Sequence, residues 1–338
     1  MTMLYLVGTV IFWYHEGKWK RMRDKTLILG AAGFIGTNLT ARLLKEQKKL
    51  VLFDRENVRY QTAVLEAEKA GEVLFAEGSF AEYTKNDWLR RLSCLKEVET
   101  VYHLISTTCP TNSNVNMAME MEENLISTIH FLDACVSAGI PKVVFLSSGG
   151  TVYGKEHTGH CKEEDEASPI TIYGLQKLSI EKALYLYRQM YGLDYRIVRL
   201  SNPYGPYQKP NGIQGAVTTF TWRAVRGEPI QVYGDGTVIR DYIYIDDAID
   251  GILRIAGDGG SHRLYNLGSG RGYSLNEVIA VIAGVIGEQP QIRYQPGRPV
   301  DVPVNILDIS RYERDFGKLE PIGLEEGIKR LAAFYQEL

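Results

Sequence analysis

A glycine turn set between a strand and a helix constrains this chain more than any other feature. Lys25-Thr26-Leu27-Ile28-Leu29 is a short apolar run that ends in Gly30-Ala31-Ala32-Gly33-Phe34-Ile35-Gly36, after which Thr37 to Leu44 has the spacing of an amphipathic helix. Gly30 permits the tight turn and Gly33 lets the backbone approach a pyrophosphate. Gly36 allows close packing of helix on strand, and the amides around Phe34 and Ile35 are left free for phosphate oxygens. A second apolar run, Lys49 to Phe53, ends in Asp54, 18 residues after Gly36, where a carboxylate binds ribose hydroxyls and repels a 2′-phosphate. The pattern predicts a dinucleotide site that prefers NAD to NADP. Arg55 follows directly and leaves a cation within reach of such a phosphate. An ordinary glycine-rich turn is the plain alternative, and Asp54 argues against it.

Beyond Asp54, short apolar runs alternate with helical ones: Glu72 to Ala76, Thr100 to Ile105, a helix over Met117 to Ala138, then Lys142 to Ser147. A helix over Tyr173 to Tyr191 leads into the apolar run Asp194 to Arg199. Strand-helix alternation of this kind predicts an α/β fold of the Rossmann type, a doubly wound parallel sheet covered on both faces. From Asn202 onward prolines and glycines mark irregular loops and a smaller α/β region, where ligand specificity is expected. At 45% apolar residues and a net charge of −3, with no basic block, the chain reads as an ordinary globular protein that does not bind nucleic acid. Cys94, Cys109, Cys135 and Cys161 lack metal-ligand spacing and read as free cytosolic thiols; no metal site is expected. Residues 1–21 contain an eleven-residue apolar stretch, Leu4 to Tyr14, too short to span a bilayer as a helix and lacking the order of a signal peptide. The expectation is an extension outside the domain, with Met22 opening the folded protein, or else an interfacial anchor.

Tyr173 and Lys177 stand four residues apart, on one face of the predicted helix. There the cation is expected to lower the phenol's pKa and make it a base near neutral pH. The spacing alone is common on exposed helices. The glycine turn and Asp54 give it meaning, because in a doubly wound sheet the segments after Ile105 and Ser147 line the cofactor cleft. The second of these, Ser147-Ser148-Gly149-Gly150-Thr151-Val152-Tyr153-Gly154, carries hydroxyls where Tyr173 needs a partner, although serine and glycine at a strand end also serve as plain turn formers.

With these residues the chain resembles the extended short-chain dehydrogenases/reductases, in particular the nucleotide-sugar epimerase/dehydratase family and its UDP-glucose 4-epimerases. The resemblance runs from about Lys25 to the C-terminus. Beyond the motifs above it includes His103-Leu104-Ile105-Ser106, Asn124, Asn202-Pro203-Tyr204-Gly205-Pro206, Gly234-Asp235-Gly236, Arg240 to Asp247 and Gly268-Ser269-Gly270. It implies Tyr173 as catalytic base, Lys177 as holder of the nicotinamide ribose, and Ser106 and Pro203 beside the cofactor. It also implies Asn202, Arg240 and Arg298 around the diphosphate, which suits guanidinium chemistry. Arg240 paired with Asp241 at the surface is the plain alternative. The implied organisation is a cofactor domain over 22–201, to which 242–265 return, and a nucleotide-sugar domain from 202–241 and 266–338.

Four places where the chain meets or departs from the family pattern matter. The catalytic Ser or Thr is expected where Gly149 stands, so Ser148 or Thr151 must serve, with Ser148 favoured. The acidic residues of sugar dehydratases are absent, their places taken by Gly150 and Thr151, and dehydration needs such a second acid or base. Asn305 occupies the position implied to gauge the sugar's C2 group, leaving both UDP-hexose and UDP-N-acetylhexosamine open. Ser79 after Gly78 replaces an aspartate of the adenine site. The expected reaction is inversion at C4 through a transient 4-ketose on tightly held NAD, in a homodimer paired through the helices Met117–Ala138 and Gly174–Tyr191. The rivals are a dehydrogenase or reductase that releases its reduced cofactor and a catalytically silent NAD-binding sensor or scaffold.

Overall fold

Strands buried on both faces must be apolar along their length, and the central strands of this protein are. Lys25–Leu29 (β1) and Lys49–Asp54 (β2) each bury four consecutive residues. With Val73–Glu77 (β3), Val98–His103 (β4), Lys142–Ser148 (β5), Asp194–Leu200 (β6) and Leu264–Leu267 (β7) they form a seven-stranded sheet in the order β7-β6-β5-β4-β1-β2-β3. All neighbours are parallel. The structure, a computed structural model, describes residues 3–7, 10–15, 18–21, 23–56, 60–110, 113–157, 159–210, 214–257, 259–298 and 301–337. Strand order reverses between β1 and β4, and the carboxyl ends there open the crevice in which such sheets bind ligands.

Four helices position the site. Phe34–Lys45 (α1) begins at the glycine turn, three residues earlier than the spacing predicts, because Gly33 takes the capping position and Phe34 to Gly36 are already helical. Ser127–Ala138 (α2) does not run unbroken from Met117: a short α-helical piece, Met117–Met121, passes into a π-helical turn over Glu122–Ile126 before α2 starts. Ile172–Tyr191 (α3) is capped by Thr171, whose hydroxyl accepts from the Gly174 N–H (3.1 Å), and ends at Gly192 with φ of +73°. Ile245–Ala256 (α4) carries the chain back to the central sheet ahead of β7.

Over the carboxyl ends lies a smaller sheet in the order Asn202–Tyr204, Ile239–Tyr244, Val304–Leu307, His160–Cys161, with Gly272–Ser274 antiparallel to the second of these. Ile230–Tyr233 pairs with Ile292–Gln295 beside it. Residues of the first 21 form an antiparallel meander, Met3–Val7, Val10–His15 and Lys18–Arg21, which shares no strand pairing with the other sheets among the described residues. Met22 lies outside the described residues. No helix among the described residues is long and apolar enough to cross a membrane.

Candidate active site

The glycine turn is as tight as its sequence implies. Gly30 has φ of +85°, and a Cβ at Gly36 would stand 2.1 Å from the Gly30 carbonyl oxygen. No side chain caps α1, so its first amides face the crevice with the positive end of the helix dipole. Asp54 reaches back to this turn: one carboxylate oxygen accepts from the Ala32 N–H and the other from its neighbour Arg55, both at 2.8 Å. Each oxygen keeps lone pairs for ribose hydroxyls, and together with the open glycine cradle they fit a dinucleotide.

A cavity of about 1340 Å³ runs from this turn to the smaller sheet. Gly30, Gly33, Phe34, Ile35, Gly36, Asp54 and Ser106 line its first half, with Tyr173, Lys177, Ser148, Thr151, Asn202 and Pro203 in the middle and Arg240 and Arg298 at the far end. Asn305 is not among the lining residues. It is buried at 2% exposure with its amide donating to the Gly149 carbonyl (3.0 Å), so the position expected to gauge the sugar instead braces the loop after β5.

At the centre, the Ser148 hydroxyl stands close enough to the Tyr173 phenol to oppose the rise in its pKa, and both line the cavity. The Thr151 hydroxyl is buried and makes no hydrogen bond, and of the two hydroxyls it is Ser148 that acts on the phenol. A Cβ at Gly149 would collide with Leu307 at 2.6 Å, which explains why the hydroxyl sits one residue earlier. Lys177 lies beneath with its Nζ 5.7 Å from the centre of the Tyr173 ring, donating to the Leu146 carbonyl (3.0 Å). The expected lowering of the phenol's pKa is not present in this state. Burial pushes Tyr173 up to about 12, with the Cys109 thiol adding to the rise and Ser148 opposing it, while burial brings Lys177 down to about 8. Burial strips each ion of hydration, and desolvation is the largest cause of both shifts.

At the far end of the cavity, Arg240 and Asp241 point to opposite sides of their strand, as successive residues must. Arg240 faces the cavity and pairs with Asp301 at 3.7 Å rather than with Asp241. Asp241 is wholly buried, accepting from the N–H groups of Ser269, Gly270 and Leu307. The Arg298 guanidinium stacks 3.6 Å from the centre of the Tyr233 ring. The Asn202 amide donates to the Asp241 carbonyl (2.9 Å), bridging two neighbouring strands of the smaller sheet at the cavity wall. Asp54, Glu56 and Asp301 are the carboxylates among the lining residues, and none stands beside Tyr173.

Several working residues escape a reading of the sequence. Ser113 and Asn114 accept from the Tyr173 and Ile172 N–H groups (2.8 and 2.7 Å), and the buried Glu120 carboxylate accepts from both the Ser113 hydroxyl and the Asn114 N–H. The loop after β4 is thereby strapped to the start of α3. Asn124, which the resemblance does name, sits on the π-helical turn, accepting from the Thr107 N–H and donating to its hydroxyl (2.9 and 2.8 Å). Gln176, fully buried, donates to Thr108 (3.1 Å). The rule that loops after β4 line the cleft points to this segment; which of its polar residues turn inward is decided by the π-helical turn.

A Rossmann-type sheet, a dinucleotide cradle and a tyrosine–lysine pair with a hydroxyl partner define the class of the NAD-dependent short-chain dehydrogenases/reductases. Residues 26–268 match the NAD dependent epimerase/dehydratase family, and the chain belongs to it. The chain is 30% identical over 312 residues to the UDP-glucose 4-epimerase of Mycolicibacterium smegmatis, covering 92% of this chain and 98% of that one. It is 31% identical over 312 residues to the dTDP-4-dehydro-6-deoxyglucose reductase of Escherichia coli, covering 91% and 96%. The crystal structure of the UDP-glucose 4-epimerase of Thermotoga maritima with UDP-glucose is similar with a TM-score of 0.84 at 31% identity, covering 93% of this chain and 99% of that one. The cofactor is NAD, in keeping with Asp54 at the end of β2.

Proposed function

We propose that this protein inverts C4 of a nucleotide hexose, with UDP as the favoured nucleotide. One observation carries the reading: Tyr173 has the Ser148 hydroxyl near it and a lysine beneath it but, among the described residues, no carboxylate beside it. Removal of water from C5 and C6 needs that additional group, whereas oxidation and re-reduction at one carbon do not. The relatives named UDP-glucose 4-epimerase support the same reading.

The residues divide the work. Asp54 and the α1 amides hold the dinucleotide, and NAD supplies reversible hydride acceptance. Tyr173 takes the proton from the sugar 4-hydroxyl, with Ser148 orienting that hydroxyl and Lys177 holding positive charge beneath the phenol. Arg240, Arg298 and Asn202 keep the diphosphate in place while the 4-ketose turns its other face, and the proton then returns from Tyr173. Cavity-lining neighbours of the sugar, rather than Asn305, set tolerance of the C2 group.

The test is to incubate the purified protein and NAD with UDP-glucose, UDP-galactose and their N-acetyl forms, and to resolve the products by stereochemistry. Interconversion without accumulation of reduced cofactor is expected, as is loss of about 10²- to 10⁴-fold in turnover for Tyr173→Phe. Stoichiometric reduced nicotinamide would instead mark a dehydrogenase. Unchanged sugars, with cellular function surviving Tyr173→Phe, would mark a sensor or scaffold.

A homodimer is part of this proposal. Leu175, Leu186 and Met190 lie along the outer face of α3 at 42%, 54% and 66% exposure, with Tyr185 and Tyr191 exposed nearby. Ile126 and Met119 extend the apolar surface on the neighbouring helical segment. An apolar stripe of this size on two adjacent helices suits burial against its own copy.

A further inference from the structure

Beneath the site lies a buried charge that the reaction as described does not use. Glu181 stands two helical turns after Tyr173 and one after Lys177 on the same face of α3, and its side chain is 4% exposed. Arg199 on β6 grips it with two donors, Nη2 to Oε2 at 2.7 Å and Nε to Oε1 at 3.1 Å. Ser147 adds a third, its hydroxyl donating to Oε1 at 2.5 Å. Arg199 and Ser147 are direct neighbours across the β5–β6 ladder, so the carboxylate is clamped where the two strands end.

The register is informative. Three consecutive residues of β5 meet three residues of α3 at helical spacing: Ser148 meets Tyr173, the Leu146 carbonyl meets Lys177, and Ser147 meets Glu181. A buried ion pair is a weak way to stabilise a fold, because desolvating both ions offsets most of their attraction. An unfilled role for Glu181 is electrostatic. The Lys177 ammonium is buried, which by itself favours its neutral form; Glu181, one turn away on the same helix face, opposes that loss.

We propose that Glu181 is a positioning residue that keeps Lys177 charged and holds the end of β5 in register with the catalytic helix. The proposal rests on the epimerase reading for its kinetic arm only. The groups facing this cluster from the packed elements are Tyr173 on α3, Arg199 on β6, Tyr153 under the Arg199 guanidinium, and His103 on β4. His103 is neutral throughout the working range, burial having lowered it to about 3 with Lys177 adding to the effect. Arg199 stays charged throughout that range, and burial pushes the Tyr153 phenol up beyond it. The ionisation that Glu181 biases between neutral and mildly alkaline pH is therefore that of Lys177.

The sign follows. Activity requires the ammonium and falls as pH rises through its pKa; removing the carboxylate lowers that pKa, so the alkaline limb moves to lower pH. Glu181→Gln keeps an oxygen for Ser147 and is expected to shift the limb of kcat/KM down by about one pH unit or more, with activity recovered on the acid side. Glu181→Asp is expected to keep the limb near its original place. Titration of Lys177 by NMR of protein carrying ¹³Cε-lysine, assigned with Lys177→Arg, reads the same shift without substrate. That measurement separates failure of this proposal from failure of the epimerase reading. If Glu181→Gln does not fold because Arg199 is left unpaired, the Glu181→Gln, Arg199→Met double variant is compared with Arg199→Met alone, which removes the cation from both, and the double variant is expected to have the lower Lys177 titration. A uniform loss at every pH, or a Lys177 titration unmoved by the substitution, overturns the proposal.

Discussion

At Gly149 a side chain has nowhere to go. A Cβ there would stand 2.6 Å from one Leu307 methyl and 3.2 Å from the Arg199 carbonyl oxygen. The residue position at which the family pattern expects a hydroxyl is filled from outside by Leu307, and the hydroxyl beside Tyr173 comes from Ser148. Ser148→Ala is therefore expected to lower kcat about 10²-fold or more. Adding Gly149→Ser to it should restore nothing and should cost about 1–3 kcal/mol of stability through overpacking, read from denaturant unfolding. Restored turnover in the double variant would show that position 149 can supply the hydroxyl. The sequence names both candidate hydroxyls, but choosing between them takes the three-dimensional meeting of β5 with α3. The pKa of Tyr173 is likewise a property of the closed cleft, since burial and not sequence spacing dominates it.

Among elements, the strand–glycine–helix unit is the most legible, because each glycine answers a local steric demand. Gly36 meets the hardest of these: an added Cβ would lie 2.1 Å from the Gly30 carbonyl and 2.8 Å from the Ala31 Cα, both backbone atoms that cannot swing away. Gly36→Ala is expected to lower stability by about 1–3 kcal/mol and to weaken NAD at least tenfold, measured by thermal unfolding and by titration calorimetry. Asp54→Ala should leave the fold intact while narrowing the preference for NAD over NADP, since it removes the carboxylate that repels a 2′-phosphate. The helix after β4 is less legible. Its apolar spacing predicts one continuous element, whereas the structure inserts a π-helical turn at Glu122–Ile126 that rotates Asn124 onto Thr107. One residue's change of helical phase is invisible to periodicity but decides which polar group faces the cleft.

For the whole molecule, the exposed apolar face of α3 makes a prediction about assembly. Leu186→Glu with Met190→Glu places two charges on a stripe that the monomer leaves open. Light scattering on the eluting protein should show the wild type as a dimer and the double variant as a monomer with its NAD site intact. A wild type that elutes as a monomer at high concentration would sink the idea. Sequence alone settled the parallel α/β sheet, the dinucleotide turn with its acidic partner and the tyrosine–lysine pair, because each depends on short-range sterics or on helical spacing within one segment. Tertiary structure alone decided what joins distant segments. It put Leu307 against Gly149, turned Asn305 away from the cavity to hold a loop carbonyl, paired Arg240 with Asp301, and drew Glu181, Arg199 and Ser147 together beneath Lys177. Those contacts bridge residues from 18 to more than 150 positions apart or depend on which way a strand's side chains face. Local sequence carries no term for either; the packing of one sheet over the ends of another supplies both.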